Sequence, residues 1–143
     1  MYILSLWHLM STSSECLSSK VVSDDKRKRK VWAKICNVYD GDTFTIIYIQ
    51  DGVLCKRRCR CMGYDAPELK TQNPEEKKKA LEAKEFLKTK LPKHMFRLKV
   101  NGLDKYGRFL VDMKCKNKEY LKNIMIENGF GYAYNGGTKQ PFS

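Results

Sequence analysis

The stretch Thr43–Met62, TFTIIYIQDGVLCKRRCRCM, decides the fold. Its first eight residues are mostly β-branched or aromatic, a composition that fits a pleated, half-buried surface. Asp51-Gly52 follows, the dipeptide suited to the two φ > 0 positions of a tight hairpin turn. The returning strand is predicted over Val53–Met62. Within it Cys59 and Cys61 lie two apart, so both project to one face and read as small core residues.

Upstream, Val31–Tyr39 mixes β-branched, aromatic and polar residues and is read as the first strand. Downstream comes a helix with both ends written into it. Asn73 suits the N-cap, Pro74 the first helical position and Glu76 the capping-box place. Ala80, Ala83, Leu87 and Leu91, with Phe86 beside them, form one apolar stripe, and Pro92 ends the helix. Phe96–Val100 reads as a strand, Asn101–Gly107 as a turn and Arg108–Lys114 as another strand. Asn117 is read as the cap of a last helix running through Asn128, with Leu121, Ile124 and Met125 buried and Gly129 as its stop. The order β-β-β-α-β-β-α, mostly β with α, is how a five-stranded OB barrel is strung, a fold that offers one face to nucleic acid.

Length and charge set the frame. A chain of 143 residues holds one compact domain and a tail but not two ordinary domains. Ser11–Ser19 is rich in Ser and Thr, and Asp24–Lys30 is a charge run. Neither buries enough apolar surface to offset the entropy of ordering, so residues 1–30 are expected to form a tail before a domain over 31–143. Lys26–Lys30 suits a nuclear-import signal or a phosphate-gripping arm, and equally a solvated flank. The 28 Lys and Arg outnumber the 16 Asp and Glu for a net charge of +12, which favours a polyanionic partner, nucleic acid before an anionic membrane. The same surplus also serves solubility; charge describes partners and not chemistry.

None of the six cysteines has the Cys-x-x-Cys spacing of structural zinc sites, and no other feature asks for a disulfide staple, so a reducing, intracellular setting is expected. Met1–Met10 lacks the basic start and the cleavage site of a signal peptide and is too short to span a bilayer.

Three clusters at turns carry the chemistry. They are Asp40-Gly-Asp42-Thr43, then Arg60 through Asp65-Ala66-Pro67-Glu68, then Asp104-Lys105-Tyr106-Gly107-Arg108. Singly, Asp-Gly-Asp and Asp104–Gly107 have ordinary turn composition. Arg60, set between the two core-facing cysteines Cys59 and Cys61, is different: a buried guanidinium needs a carboxylate or phosphate partner. Together the clusters meet the needs of phosphodiester hydrolysis. Asp42 and Asp65 supply hard oxygen ligands for calcium or magnesium. Arg60 and Arg108 present forked donors to phosphate oxygens. Glu68 is the carboxylate left to handle water.

Asp40-Gly-Asp42-Thr43, Arg60, Gly63-Tyr64-Asp65-Ala66-Pro67-Glu68 and Asp104-Lys-Tyr-Gly-Arg108, in that order, resemble staphylococcal nuclease and its thermonuclease-like relatives over about Val31–Tyr134. The resemblance implies a calcium-dependent endonuclease of DNA and RNA that leaves 3′-phosphate ends. It implies Asp42 and Asp65 as metal carboxylates and Ala66 as the donor of a backbone carbonyl to the metal. It also implies Arg60, Glu68 and Arg108 as a catalytic trio, with Glu68 as general base or water-positioner, and Lys105 and Tyr106 as contacts to phosphate or nucleotide. Tyr132 and Tyr134 suit base stacking, and suit core packing as well. Two departures stand out: a somewhat longer hairpin at Asp51-Gly52, and a chain that stops soon after Lys139, where the archetype continues into a helix. The expected partners are DNA or RNA and no membrane, with the protein a monomer. The alternative is a catalytically silent nucleic-acid-binding module, like the altered repeats of Tudor-staphylococcal nuclease proteins. A basic scaffold whose acidic turns are only turns is the third reading.

Overall fold

The computed structural model describes residues 28–142; the readings of the leader, the Ser-rich tail and Cys16 lie outside this span. Among the described residues, seven strands and two helices follow in order: β1 Arg29–Val38, β2 Thr43–Gln50, β3 Val53–Cys61, β4 Gly63–Asp65, α1 Pro74–Lys90, β5 Phe96–Leu103, β6 Phe109–Val111, α2 Leu121–Glu127 and β7 Tyr132–Tyr134. Strands β1, β2, β3, β6 and β5 close into a barrel in that order, with β3 and β6 parallel and the other pairs antiparallel. This is the five-stranded OB architecture expected from the sequence. No helix among the described residues is long and apolar enough to cross a membrane.

The hairpin forms as read. Asp51 and Gly52 both take positive φ, 51° and 75°, and Gln50 faces Val53 across a two-residue turn. That turn sets the register so that Phe44, Ile46 and Tyr48 of β2 and Cys55, Cys59 and Cys61 of β3 all enter the core. Ala33, Val38, Leu98, Val100, Phe109 and Val111 from the other barrel strands join them there. Burial raises the Cys59 thiol well above its ordinary value and pushes Cys61 up to about 12, so both are inert packing groups. A bulge between Ile35 and Asn37 shifts the β1–β2 register, the kind of local coiling a small closed barrel requires.

Helix α1 packs against the barrel through Ala80, Ala83 and Leu87. Asn73 caps it by accepting N–H bonds from Glu75 (3.0 Å) and Glu76 (3.5 Å). The capping box is relayed and not direct: the Asn73 N–H bonds the Thr71 hydroxyl, which in turn donates to Glu76 at 2.6 Å. Several boundaries differ from expectation. Strand β1 begins at Arg29, inside the charge run read as tail, because Arg29 and Lys30 pair with Val100 and Lys99 of β5. Strand β5 continues through Asn101–Leu103, because a second register shift lets it keep its partner on β6, and the turn contracts to Asp104–Gly107. Strand β6 is only three residues long, since β3 and β5 flank it only there. Asn117 does not cap α2. Its side chain accepts the Glu119 N–H at 3.1 Å inside a tight turn in which Lys118 takes φ of 66°, and the antiparallel bridge between Lys114 and Tyr120 closes that turn, so the helix starts only at Leu121.

Strand β4 went unread in the sequence, and so did β7. The two pair antiparallel, setting Tyr132 opposite Asp65 and Tyr134 opposite Gly63. The loop between β1 and β2 is seated against both α1 and the residue after β4. A Cβ placed on Gly41 falls 2.8 Å from the Cβ atoms of Ala66 and Ala83. Gly41→Ala is therefore expected to lower stability by about 1–3 kcal/mol, the usual cost of overpacking, measured by urea denaturation.

Candidate active site

The β1–β2 turn aims one carboxylate inward. Asp40 Oδ1 accepts the N–H groups of Asp42 (3.1 Å) and Thr43 (2.9 Å), which folds the turn back on itself. Asp42, 5% exposed, then points into the end of the barrel. Its Oδ1 accepts the Thr43 hydroxyl (2.9 Å), and its Oδ2 accepts the Ala66 N–H (2.9 Å).

Arg60, at the end of β3, reaches across to that carboxylate. Its Nη1 donates to the carbonyls of Cys61 (2.9 Å) and Tyr64 (3.1 Å) and lies 3.1 Å from Asp42 Oδ2. Its Nη2 donates to Asp65 Oδ1 at 2.8 Å. One guanidinium thus spans the two aspartates. Asp65, 2% exposed, also meets Tyr132, whose hydroxyl is shared between Asp65 Oδ2 (3.2 Å) and the Gln140 carbonyl. Tyr64, buried beside this network, donates to the Gly41 carbonyl at 2.8 Å and ties β4 to the first turn.

The third cluster is built separately. Asp104 Oδ1 accepts the N–H groups of Tyr106 and Arg108, each at 2.9 Å, and Asp104 Oδ2 accepts Arg108 Nε–H at 2.6 Å. That bond engages the Nε edge of Arg108, so the Nη groups are the forked donors left for a ligand. Tyr106, 72% exposed, carries Lys105 Nζ and the Arg108 guanidinium over its ring at 5.1 and 5.4 Å.

A groove of about 910 Å³ joins the three clusters, and Asp42, Arg60, Glu68, Lys105, Arg108 and Tyr134 all line it. Asp65 reaches it through its partners Arg60 and Lys139, which do line it. Of the two tyrosines read as stacking platforms, Tyr134 lines the groove and donates to the Gly137 carbonyl at 2.9 Å. The Tyr132 ring instead packs against Phe142 at 4.6 Å.

Lys139 is the residue the sequence reading missed. Its Nζ lies 2.8 Å from Glu68 Oε1 and 3.3 Å from Asp65 Oδ1. The bond and charge from Lys139 hold the Glu68 carboxyl below the usual carboxylate range. No local motif marks Lys139, which sits 71 residues after Glu68 behind a Gly-Gly loop.

Burial and the nearby Asp40 charge raise the Asp42 carboxyl to about 6, against the opposing effects of Arg60 and the Ala66 N–H. Among the described residues, no three His, Cys, Asp or Glu side chains are gathered into a ready-made metal cage. A buried carboxylate whose charge stays under-compensated even with a guanidinium beside it nonetheless fits a further cation, and the donors are hard oxygens.

The barrel and the groove define a small cationic OB-fold domain whose groove is lined by carboxylates and guanidiniums. The chain belongs to the family of staphylococcal nuclease homologues, whose family model matches residues 58–141, more than half of its length. The matched span includes Arg60, Asp65, Ala66, Glu68 and Arg108 but begins after Asp42, which the closed barrel delivers to the same groove. No curated protein matches the chain.

A carboxyl raised on folding binds protons that the unfolded chain has lost, so the metal-free protein loses stability as pH rises from about 4 through 6. A shift from 3.8 to about 6 corresponds to roughly 2–3 kcal/mol. Denaturation curves of wild type and Asp42→Asn are expected to diverge across this window, the variant lacking the loss. Parallel curves would contradict the assignment.

Proposed function

We propose that this domain is a calcium-dependent endonuclease that hydrolyses the phosphodiester backbone of DNA or RNA and acts as a monomer. The observation that carries the reading is the convergence of Asp42, Arg60, Glu68 and Arg108 on one groove, with Asp65 joined to it through Arg60. The net charge of +12 draws a polyanion toward that groove. Contacts to the backbone carry little base identity, so both nucleic acids fit.

Asp42 and Asp65, with the Ala66 carbonyl, would hold the calcium ion, which supplies positive charge next to the scissile phosphate. Glu68 accepts a proton from water as that water attacks phosphorus; the P–O5′ bond breaks, and the leaving oxygen takes up a proton from solvent, which leaves a 3′-phosphate and a 5′-hydroxyl. Arg108 offers its Nη groups to the phosphoryl oxygens of the five-coordinate phosphorane. Arg60 has five N–H donors, and three of them already serve Cys61, Tyr64 and Asp65; its Nε–H and second Nη2–H are the donors left for the phosphate. Lys105, Tyr106 and Tyr134 line the groove where flanking phosphate and nucleotide lie. Lys139 keeps Glu68 ionised.

The engagement of Arg60 with both aspartates and of Lys139 with Glu68 favours a second reading, a nucleic-acid-binding module without turnover. Incubation of the purified chain with plasmid and with RNA separates the two. Calcium-dependent products ending in 3′-phosphate support the nuclease, whereas salt-sensitive binding with no product supports the module.

Replacing Arg60 or Arg108 with Ala is expected to lower the cleavage rate about 10²- to 10³-fold, the usual effect of losing one preorganised donor. Lys139→Gln releases the Glu68 carboxyl toward its ordinary range. The acid limb of the pH–rate profile should then move to higher pH, and an unmoved limb would remove Glu68 from the role of base.

A further inference from the structure

The wall of the barrel carries charge of one sign. Its five strands hold nine Lys and Arg (three on β1, four on β3, two on β5) and no Asp or Glu. Some of these cations are spoken for: Arg60 serves the groove, while Arg29 and Arg57 lie over the Phe109 ring at 5.3 and 5.1 Å. The outer face shared by β1 and β5 is different. There Lys30 stands directly opposite Lys99, and Trp32 directly opposite Arg97. All four are exposed, and none lines the groove.

Like charges set opposite each other across two strands oppose pairing. The Lys30–Lys99 pair therefore works against the β1–β5 ladder that closes the barrel, and the barrel strands hold no acidic residue to relieve it. Two residues along, about 7 Å, Trp32 is 47% exposed even with the Arg97 guanidinium 5.3 Å from its ring centre. A large exposed indole stacked on a cation and flanked by paired ammonium groups has the parts of a single-strand platform: phosphates meet the lysines, and an unpaired base meets the ring. A duplex offers only phosphates to such a face, since its bases are already stacked.

We propose that the β1–β5 face is a second nucleic-acid contact, separate from the groove, which takes a single-stranded segment with its backbone on Lys30 and Lys99 and a base on Trp32. The class of partner rests on the nucleic-acid reading above; the site itself does not depend on cleavage.

The test measures binding of a single-stranded oligonucleotide to the full chain in chelator, across a range of salt, alongside the duplex of the same sequence. The Lys30→Gln/Lys99→Gln double variant is expected to lower the slope of log affinity against log salt by about 1.4, at about 0.7 per phosphate contact on a single strand. Trp32→Ala is expected to weaken single-strand binding about tenfold with little effect on duplex, and Trp32→Phe to restore most of it. Melting curves confirm that each variant is folded. Calcium-dependent cleavage of a dinucleotide, too short to extend beyond the groove, should be unchanged in all of them. Wild-type affinity and slope in both the double variant and Trp32→Ala would overturn the proposal. So would an equal loss on duplex and single strand for Trp32→Ala. Absence of cleavage by the wild type would instead count against the nuclease reading and leave the binding comparison intact.

Discussion

Arg60 stands between Asp42 and Asp65, 3.1 and 2.8 Å from their oxygens, and each of the three side chains is held by a different part of the chain. Asp42 comes from the β1–β2 turn, Arg60 from the end of β3, and Asp65 from the short strand that β7 pins in place. Removing one partner from a buried ion pair typically costs about 3–5 kcal/mol, because the remaining charge is left without compensation. Such a network ties the end of the barrel together and keeps it charged. An apolar substitute of the same volume would close the barrel equally well, but it would leave the floor of the groove without charge.

The geometry of that network follows from modest local devices. Asp40 turns the loop by accepting two N–H bonds, and Gly41 lets it approach Ala66 and Ala83. Tyr64 fixes the distance between the first and second clusters through the Gly41 carbonyl. Asp104 performs for Arg108 what Asp65 performs for Arg60, holding one edge of the guanidinium. The two arginines nevertheless differ. Arg60 has a side chain only 11% exposed and sits in the network, while Arg108, at 27%, faces more open space over Tyr106. The electrostatic design is thus graded from a sealed floor to an open rim.

Lys139 extends the same network across the groove to Glu68. Because the β4–β7 pair brings the chain back beside Asp65, a residue from the far end of the domain contacts both a floor carboxylate and a rim carboxylate. The C-terminal segment is therefore part of the site and not an appendage. Its Gly136 and Gly137, both at φ of 100°, let the chain turn there.

Strand and helix identity was legible in the sequence wherever the determinant was local. Asp51-Gly52 specified its hairpin, Asn73-Pro74 started α1, and the apolar spacing of Leu121, Ile124 and Met125 marked the buried face of α2, because each signal acts within one turn of chain. The three acidic and arginine-rich turns were legible for the same reason, as residue types whose charge needs a partner. What tertiary structure alone decided was who those partners are. The pairing of β7 with β4, the shortening of β6 to three residues and the reach of Lys139 to Glu68 and Asp65 all join residues tens of positions apart, and no local propensity encodes them. They appear only once closure of the barrel sets which strand ends, and therefore which charges, share a low-dielectric space.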